Sequence, residues 1–261
     1  MEFLYYALLG AFAGTAAGLL GIGGGLIMVP VLVFLFAQQG IGGEHLVHVA
    51  IGTSLAAIVF SSISSVWSHH RHGAVQWPLF LRMTPGVVIG AIAGSMVAHY
   101  LPGGALKIVF GIIEILIALQ MGFGRNPSPN RTLPGPAGLT AVSGGIGAIA
   151  SIMGMGGGAM STPFFIWCNV QAKNAIATSA AIGLPSAIAG SLGYVFTGWA
   201  IPDLPSPSLG YVYLPALAGM VVFSMLFAPL GAKLAHRLPT VILKRIFAVF
   251  LMALGLKMLL G

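Results

Sequence analysis

Long apolar runs, separated by glycine, proline or a few charges, follow one another along the whole chain. A helix needs about 20 apolar residues to cross the hydrocarbon core of a bilayer, and six of the ten runs are long enough. Only 6% of the residues are charged, against roughly 25% in an ordinary soluble domain. The sequence therefore predicts an all-α polytopic membrane protein. The ten runs cover residues 3–20, 26–37, 47–68, 78–100, 105–121, 136–153, 159–167, 175–196, 214–234 and 240–259.

Charge and cysteine content exclude several other classes of protein. The net charge is +7, but the eleven Lys and Arg are scattered between apolar runs and form no basic face for nucleic acid. The single cysteine, Cys168, excludes an intramolecular disulfide and a cysteine metal centre. We expect no cofactor and no metal. No Lys or Arg precedes the first apolar run, so we interpret it as a membrane helix and not as a cleaved signal peptide.

Two glycine clusters in matching surroundings indicate an internal duplication. Residues 20–25 read LGIGGG and are followed by Pro30, and residues 153–158 read MGMGGG and are followed by Pro163 at the same spacing. After each cluster comes a short apolar run of about 9 to 12 residues, which spans roughly 14 to 18 Å as a helix. Such a run is too short for a comfortable membrane crossing.

Further segments repeat in the same order. The sequence AIGTSLA at 50–56 matches AIATSAA at 175–181 in five of seven positions, and AHYLP at 98–102 matches AHRLP at 235–239 in four of five. Since the order is kept throughout, we interpret the chain as two copies of one fold unit. The predicted units are repeat 1 (residues 1–123), a Pro-rich cytoplasmic linker (124–135) and repeat 2 (136–261), which together form one transport domain.

The positive charges predict how the two repeats are oriented. If each glycine-broken pair of short helices enters and leaves on one side, nine of the eleven Lys and Arg share a side. If each pair is a single broken span, the division is five against six. The positive-inside rule favours the first arrangement. We therefore expect two inverted repeats, each a glycine-broken short helix pair plus three transmembrane helices, with both termini and Ser206 external and Ser128 internal.

Inverted repeats with broken helices near the membrane centre are typical of secondary transporters. A helix that begins after a glycine turn directs its free N–H groups and the positive end of its dipole into the adjacent space. Two such helix starts, at Gly24 and Gly157, would bind a small anion. The alternative is that the glycines only allow close helix packing, which is how we interpret Gly86, Gly90 and Gly94.

Hydroxyl groups in the second repeated motif are the natural partners of an anion, because they donate hydrogen bonds without adding charge. Their alternative role is to bond a carbonyl four residues back in their own helix. The candidate substrate-binding residues are Gly23, Gly24, Gly25, Thr53, Ser54, Gly156, Gly157, Gly158, Thr178 and Ser179.

Glu114 lies within an apolar run, where a carboxylate costs about 2.5 to 3.5 kcal/mol even on a lenient insertion scale. It is a candidate for proton coupling, with Arg82 as a possible partner in that role. Alternatively, it forms a structural ion pair with Arg82 or Lys107. A carrier of metal ions or amines needs intramembrane carboxylates, and this chain has four acidic residues in total. The scarcity favours anionic or neutral solutes.

The segment His69–His72 (HHRH) allows a metal-site interpretation, as in membrane enzymes with histidine boxes. Such enzymes need several boxes, so a cationic anchor at the membrane interface is favoured. We also find no convincing set of Ser, His and acid for hydrolysis. The sequence therefore does not predict an enzyme.

Together these motifs resemble the TauE/SafE sulfite exporter family, also called the toluene-sulfonate uptake permease family. The motif GxGGG at 21–25 and 154–158, followed each time by AxxTS at 50–54 and 175–179, carries the resemblance. It implies a prokaryotic cytoplasmic (inner) membrane permease that moves sulfite or a related sulfur-containing or organic anion, with export as the expected direction. Two alternatives remain open: an anion channel, and an intramembrane enzyme or assembly subunit. The oligomeric state is also open.

Overall fold

The computed structural model describes residues 2–20, 24–41, 43–123, 132–235 and 240–260, with residues 2, 20, 235 and 240–244 described by their backbone alone. Within these ranges the chain is almost entirely α-helical. The helices are α1 (Glu2–Leu20), α2 (Gly25–Gln39), α3 (Leu46–Arg71), α4 (Trp77–Tyr100), α5 (Gly103–Phe123), α6 (Pro136–Ile152), α7 (Gly158–Trp167), α8 (Ala172–Gly198), α9 (Leu214–Ala235) and α10 (Thr240–Leu260). A 3-10 helix (Gly43–His45) precedes α3, and a small antiparallel hairpin, β1 (Ser208–Leu209) with β2 (Val212–Tyr213), precedes α9.

Five helices of the described chain are long and apolar enough to cross a membrane, namely α3, α4, α5, α8 and α9. They correspond to five of the six long runs in the sequence, and the sixth run forms α10. Large apolar side chains on their outer faces are exposed, as lipid contact requires; examples are Leu81, Phe123 and Val249. The prediction of an all-α polytopic membrane protein is confirmed except for the small hairpin of β1 and β2.

Glycine breaks the helix pairs as the sequence predicts. The residues immediately before α2 and α7, Gly24 and Gly157, have φ angles of 76° and 77°. This left-handed conformation is costly for residues with a Cβ atom, so glycine suits both positions. Each pair folds back as a hairpin. The Tyr6 hydroxyl donates to Gln39 Oε1 at 2.6 Å, which joins the start of α1 to the end of α2.

The contacts between the two halves are symmetric: each main contact between two helices is repeated by the two corresponding helices of the opposite halves. Here α1 to α5 correspond to α6 to α10. The first helix of each half packs mainly on the fourth helix of the other half, as α1 on α9 and α6 on α4. The third helix likewise packs on the opposite fourth helix, as α3 on α9 and α8 on α4. Finally, α3 packs on its equivalent α8, and α5 packs on its equivalent α10.

Equivalent helices run antiparallel where they meet. Along α3 and α8, Leu55 lies beside Gly190 while Ser62 lies beside Gly183. Along α5 and α10, Gly111 lies beside Leu259 while Gly122 lies beside Ala248. In both pairs the residue numbers rise along one helix as they fall along the other.

Glycine allows the interfaces of the first and fourth helices to close tightly. A Cβ atom at Gly86, Gly90 or Gly94 of α4 would collide with the backbone of α6, for example with the Gly144 carbonyl at Gly90. These three glycines recur every four residues and so lie on one face of the helix. The interpretation of Gly86, Gly90 and Gly94 as packing residues is confirmed.

Candidate functional site

The two glycine breaks lie against each other at the centre of the protein. The first residue of α2, Gly25, packs so closely on the second break that any side chain there would collide with the Gly154 carbonyl. The same carbonyl accepts a hydrogen bond of 3.0 Å from the Ser54 hydroxyl. The start of α2, the chain before α7 and the first TS motif therefore meet in one place. Gly23 lies outside the described residues.

The second break lies near the middle of the long central helices. A side chain at Gly156 would meet Ile58 of α3, and one at Gly183 of α8 would meet the Gly156 carbonyl. Both Ile58 and Gly183 are about halfway along their helices. The break is therefore near the midpoints of α3 and α8. Immediately after it, at Gly158, α7 begins.

The threonines of the two TS motifs make equivalent bonds across the two halves. Thr53 Oγ1 accepts the backbone N–H of Tyr213 at 2.9 Å, and Thr178 Oγ1 accepts the backbone N–H of Gln76 at 3.0 Å. Tyr213 and Gln76 are the residues directly before α9 and α4. Each threonine therefore holds the start of the other half's fourth helix. Neither of the roles considered from the sequence includes this contact.

The serines of the two motifs differ. Ser54 donates to the Gly154 carbonyl, whereas the Ser179 hydroxyl, which is fully buried, has no hydrogen-bond partner among the described residues. Three further hydroxyls on the second half, those of Ser151, Ser186 and Tyr194, are also fully buried and without a partner there. Ser151 and Ser186 belong to no motif that the sequence singles out. The available signal was spacing, because Ser186 follows Ser179 by seven residues and so shares its helix face.

Glu114 is fully buried on α5, and neither carboxylate oxygen has a hydrogen-bond partner in the described chain. The ion pair with Arg82 or Lys107 considered above is not formed. Arg82 is exposed on α4, and α5 packs mainly against α10. A role for Glu114 and Arg82 in proton coupling stays a prediction.

The histidine segment at the end of α3 makes local contacts. Trp77 Nε1 donates to His70 Nδ1 at 3.2 Å, and the His72 ring bonds the Ser68 carbonyl at 2.7 Å. Within the described ranges no group of three or more His, Cys, Asp and Glu side chains is placed to hold a metal ion.

The two ends of the central helices are built differently. Beside the C-terminal end of α7 lies an open cavity of about 420 Å³, which we call the amide vestibule. Most of the side chains that line it are polar. Residues before α6 and after α7 line it together, so this helix pair also enters and leaves at one end. The lining residues are Gln76, Thr132, Leu133, Cys168, Asn169, Val170, Gln171 and Asn174.

At the other end, aromatic rings fill the equivalent place. Phe36 follows Gly24 at the same distance in sequence as Asn169 follows Gly157. Its fully buried ring packs edge-on against Tyr213 and Tyr6, with centroid distances of 5.7 and 6.4 Å. The longer α2 carries Phe36 within the helix, whereas α7 ends two residues before Asn169.

A cluster of aromatic and histidine rings lies beside this closed end. Tyr211 stacks on His48 with 5.2 Å between ring centroids, and its hydroxyl is 3.2 Å from His99 Nδ1. Burial raises the pKa of the Tyr211 hydroxyl, so the ring is neutral and can donate or accept a hydrogen bond. No sequence motif predicts this cluster, because His48 and His99 are far apart along the chain.

Known proteins resemble this chain along almost its whole length. A family described as Sulfite exporter TauE/SafE matches residues 6–258. A "Probable membrane transporter protein" of Haemophilus influenzae is 34% identical, over 97% of this chain and 96% of its own length. Proteins with the same designation from Bacillus subtilis and Methanocaldococcus jannaschii are each 26% identical, over 99% and 97% of this chain and 98% and 94% of their own lengths. No solved structure matches the chain.

Proposed function

The chain belongs to the TauE/SafE sulfite exporter family, and on that basis we propose that it is a secondary transporter that exports sulfite or a related sulfur-containing or sulfonate anion. The family and the relatives are described as exporters and transporters, so the protein is a membrane transporter and not an enzyme. The anion and the mechanism are the parts that we propose.

The contact between the two glycine breaks carries the proposal. Gly25 and Gly154 pack together halfway along α3 and α8, and a helix begins beside each break, at Gly25 and Gly158. The first turn of each helix has N–H groups without a partner in its own helix, and its dipole places about half a positive charge there. We assign the substrate site to this region, with Thr53, Ser54, Thr178 and Ser179 around it.

We further propose that the two halves are inverted repeats in a prokaryotic inner membrane, with both termini outside. The antiparallel course of α3 with α8 and of α5 with α10 supports this, because a two-fold axis in the membrane plane reverses equivalent helices. Each of the hairpins α1–α2 and α6–α7 begins and ends on a single side of the protein, as the distribution of positive charge requires.

The difference between the two ends supports alternating access. The amide vestibule is open, whereas Phe36, Tyr6 and Tyr213 fill the opposite end. A carrier that opens one end at a time has this asymmetry in any single state. With the cell interior negative, outward movement of one negative charge is favoured by about 2.3 kcal/mol per 100 mV, so export of a monoanion needs no coupled ion.

A matched pair of glycine variants tests the site. We expect Gly157→Ala to abolish the rise in melting temperature that sulfite gives the purified protein, because its methyl group would lie at the start of α7. Gly40→Ala is the control: its φ of 67° imposes a similar left-handed strain, but nothing lies within 4 Å of a Cβ there. Unchanged stabilisation in Gly157→Ala would exclude the site. Unitary currents in a bilayer recording would instead identify an anion channel.

A further inference from the structure

We propose that Ser151 and Ser186, together with the first turn of α7, form a subsite that selects a monovalent oxyanion. This inference rests on the proposed function, since it names the residues and the charge class of the same central site. It extends the site beyond the two repeated motifs and places its selective part on one half of the protein.

Unpartnered hydroxyls at this depth require an explanation. Ser151 and Ser186 are 0% exposed, and their Oγ atoms have no hydrogen-bond partner in the chain that the structure describes. A buried hydroxyl without a partner costs free energy, so native proteins rarely keep one without a ligand or a function. Both groups can rotate and donate to an acceptor that arrives between them.

Ser186 lies at the start of α7, and Ser151 lies beside the next turn of α8. A Cβ at Gly157, the residue before the helix, would be 3.3 Å from Ser186 Oγ. A Cβ at Gly190, one turn along α8 from Ser186, would be 2.8 Å from Ser151 Oγ. Ser186 is therefore next to the free N–H groups of the first turn of α7, and Ser151 is within about one helical turn of Ser186 along α8. Glycine at 157 and 190 allows both hydroxyls to approach the backbone closely.

The equivalent region of the first half does not have free hydroxyls at the two corresponding positions. Gly18 precedes Gly24 by the same six residues that separate Ser151 from Gly157, and it packs against the Ala228 carbonyl. Ser61 takes the place of Ser186, but it donates to the Ile58 carbonyl of its own helix at 3.2 Å. Among the described residues, the positions of Ser151 and Ser186 therefore carry unpartnered hydroxyls in the second half alone, whereas the unpartnered hydroxyl of the first half is that of Ser65, at the place of Gly190.

The charge of the site favours a single negative charge on the ligand. From residue 132 to residue 200 the sequence has one charged residue, Lys173, and it is exposed. The positive potential must therefore come from helix dipoles, about half a unit charge for each N-terminus. The start of α2 packs on the same break, so two N-termini supply about one unit. A dianion would leave a full charge uncompensated in a buried place.

The donors select an oxyanion among monoanions. Two hydroxyls and several N–H groups arranged around one region suit a ligand with several acceptor oxygens, such as hydrogensulfite or a sulfonate. A spherical halide has one centre and meets fewer of these donors at hydrogen-bond distance. We therefore expect methanesulfonate to bind, and sulfate and chloride to bind weakly.

Three serine variants test the subsite in the full-length protein. In Ser151→Ala and Ser186→Ala we expect the apparent affinity for methanesulfonate, measured by thermal shift and by competition with sulfite flux in proteoliposomes, to fall about tenfold. Their melting temperatures without anion should stay the same or rise, since an unpartnered buried hydroxyl is removed. Ser186→Cys keeps the side-chain size and should show the same loss. Ser61→Ala, the equivalent position of the first half, should keep the wild-type affinity.

The outcomes separate the subsite from the function. If the wild type binds and transports anions while Ser151→Ala and Ser186→Ala keep full affinity, the subsite is wrong and the transporter stands. If sulfate binds as tightly as methanesulfonate, the selection of single charge is wrong. If none of these anions stabilises the wild type or crosses the membrane, the proposed function itself fails.

Discussion

Thr53 on α3 accepts a hydrogen bond of 2.9 Å from the backbone N–H of Tyr213, the residue that precedes α9 in the other half. Thr178 and Gln76 repeat this contact with the halves exchanged. Both threonines are fully buried. Each accepts a hydrogen bond from a backbone N–H at the start of a helix, where the N–H groups have no acceptor within the helix itself. The threonines of the two TS motifs thus hold the two halves of the chain together.

Removal of either threonine hydroxyl should destabilise the protein. We expect Thr53→Val and Thr178→Val to lower the free energy of unfolding by about 1–3 kcal/mol each, because a backbone N–H would be left unpaired. Thermal unfolding in detergent measures the effect. Thr140→Val is the control, since that exposed hydroxyl bonds its own helix at the Pro136 carbonyl. Equal melting temperatures for all three variants would contradict a structural role for the two contacts.

The fold could be predicted as far as it depends on local properties. Apolar length determines which runs can span a membrane, and three adjacent glycines break a helix wherever they occur. Contacts between the halves could not be read in this way. The identical pairs Thr53-Ser54 and Thr178-Ser179 share a sequence, yet Ser54 has a partner in the described chain and Ser179 has none. That difference arises from packing between segments far apart in the sequence.

Close helix packing leads to a second prediction, on neighbouring glycines of α6. A Cβ at Gly147 would collide with the Val87 carbonyl of α4, whereas nothing lies within 4 Å of one at Gly145. We expect Gly147→Ala to cost about 1–3 kcal/mol of stability through overpacking. Gly145→Ala should be neutral or stabilising by up to about 1 kcal/mol, because alanine is the better helix former. The melting temperatures of the two variants test this difference. An equal loss of stability in both would mean that the α4–α6 interface is not closely packed.

The proposed orientation predicts the side on which two loops can be labelled. In a Cys168→Ser background that retains transport, Gln171→Cys lines the amide vestibule and should react only after the cell membrane is permeabilised. Ser206→Cys, exposed in the loop beyond α8, should react with an impermeant thiol reagent in intact cells. The reverse labelling pattern would place the positively charged ends of the helices outside and overturn the topology.

Glu114 should matter for coupling and not for substrate binding. It is buried on α5 without a hydrogen-bond partner in the described chain, and α5 packs mainly on α10. If Glu114 carries a coupled proton, Glu114→Gln should reduce sulfite flux driven by a pH gradient to the level without the gradient, while sulfite-dependent thermal stabilisation remains. Glutamine keeps the shape but cannot exchange a proton. Glu44→Gln, at an exposed site before α3, should keep the full response to the gradient. Flux in Glu114→Gln proteoliposomes that still responds fully to the pH gradient would exclude proton coupling through this residue and leave uniport of a monoanion as the mechanism.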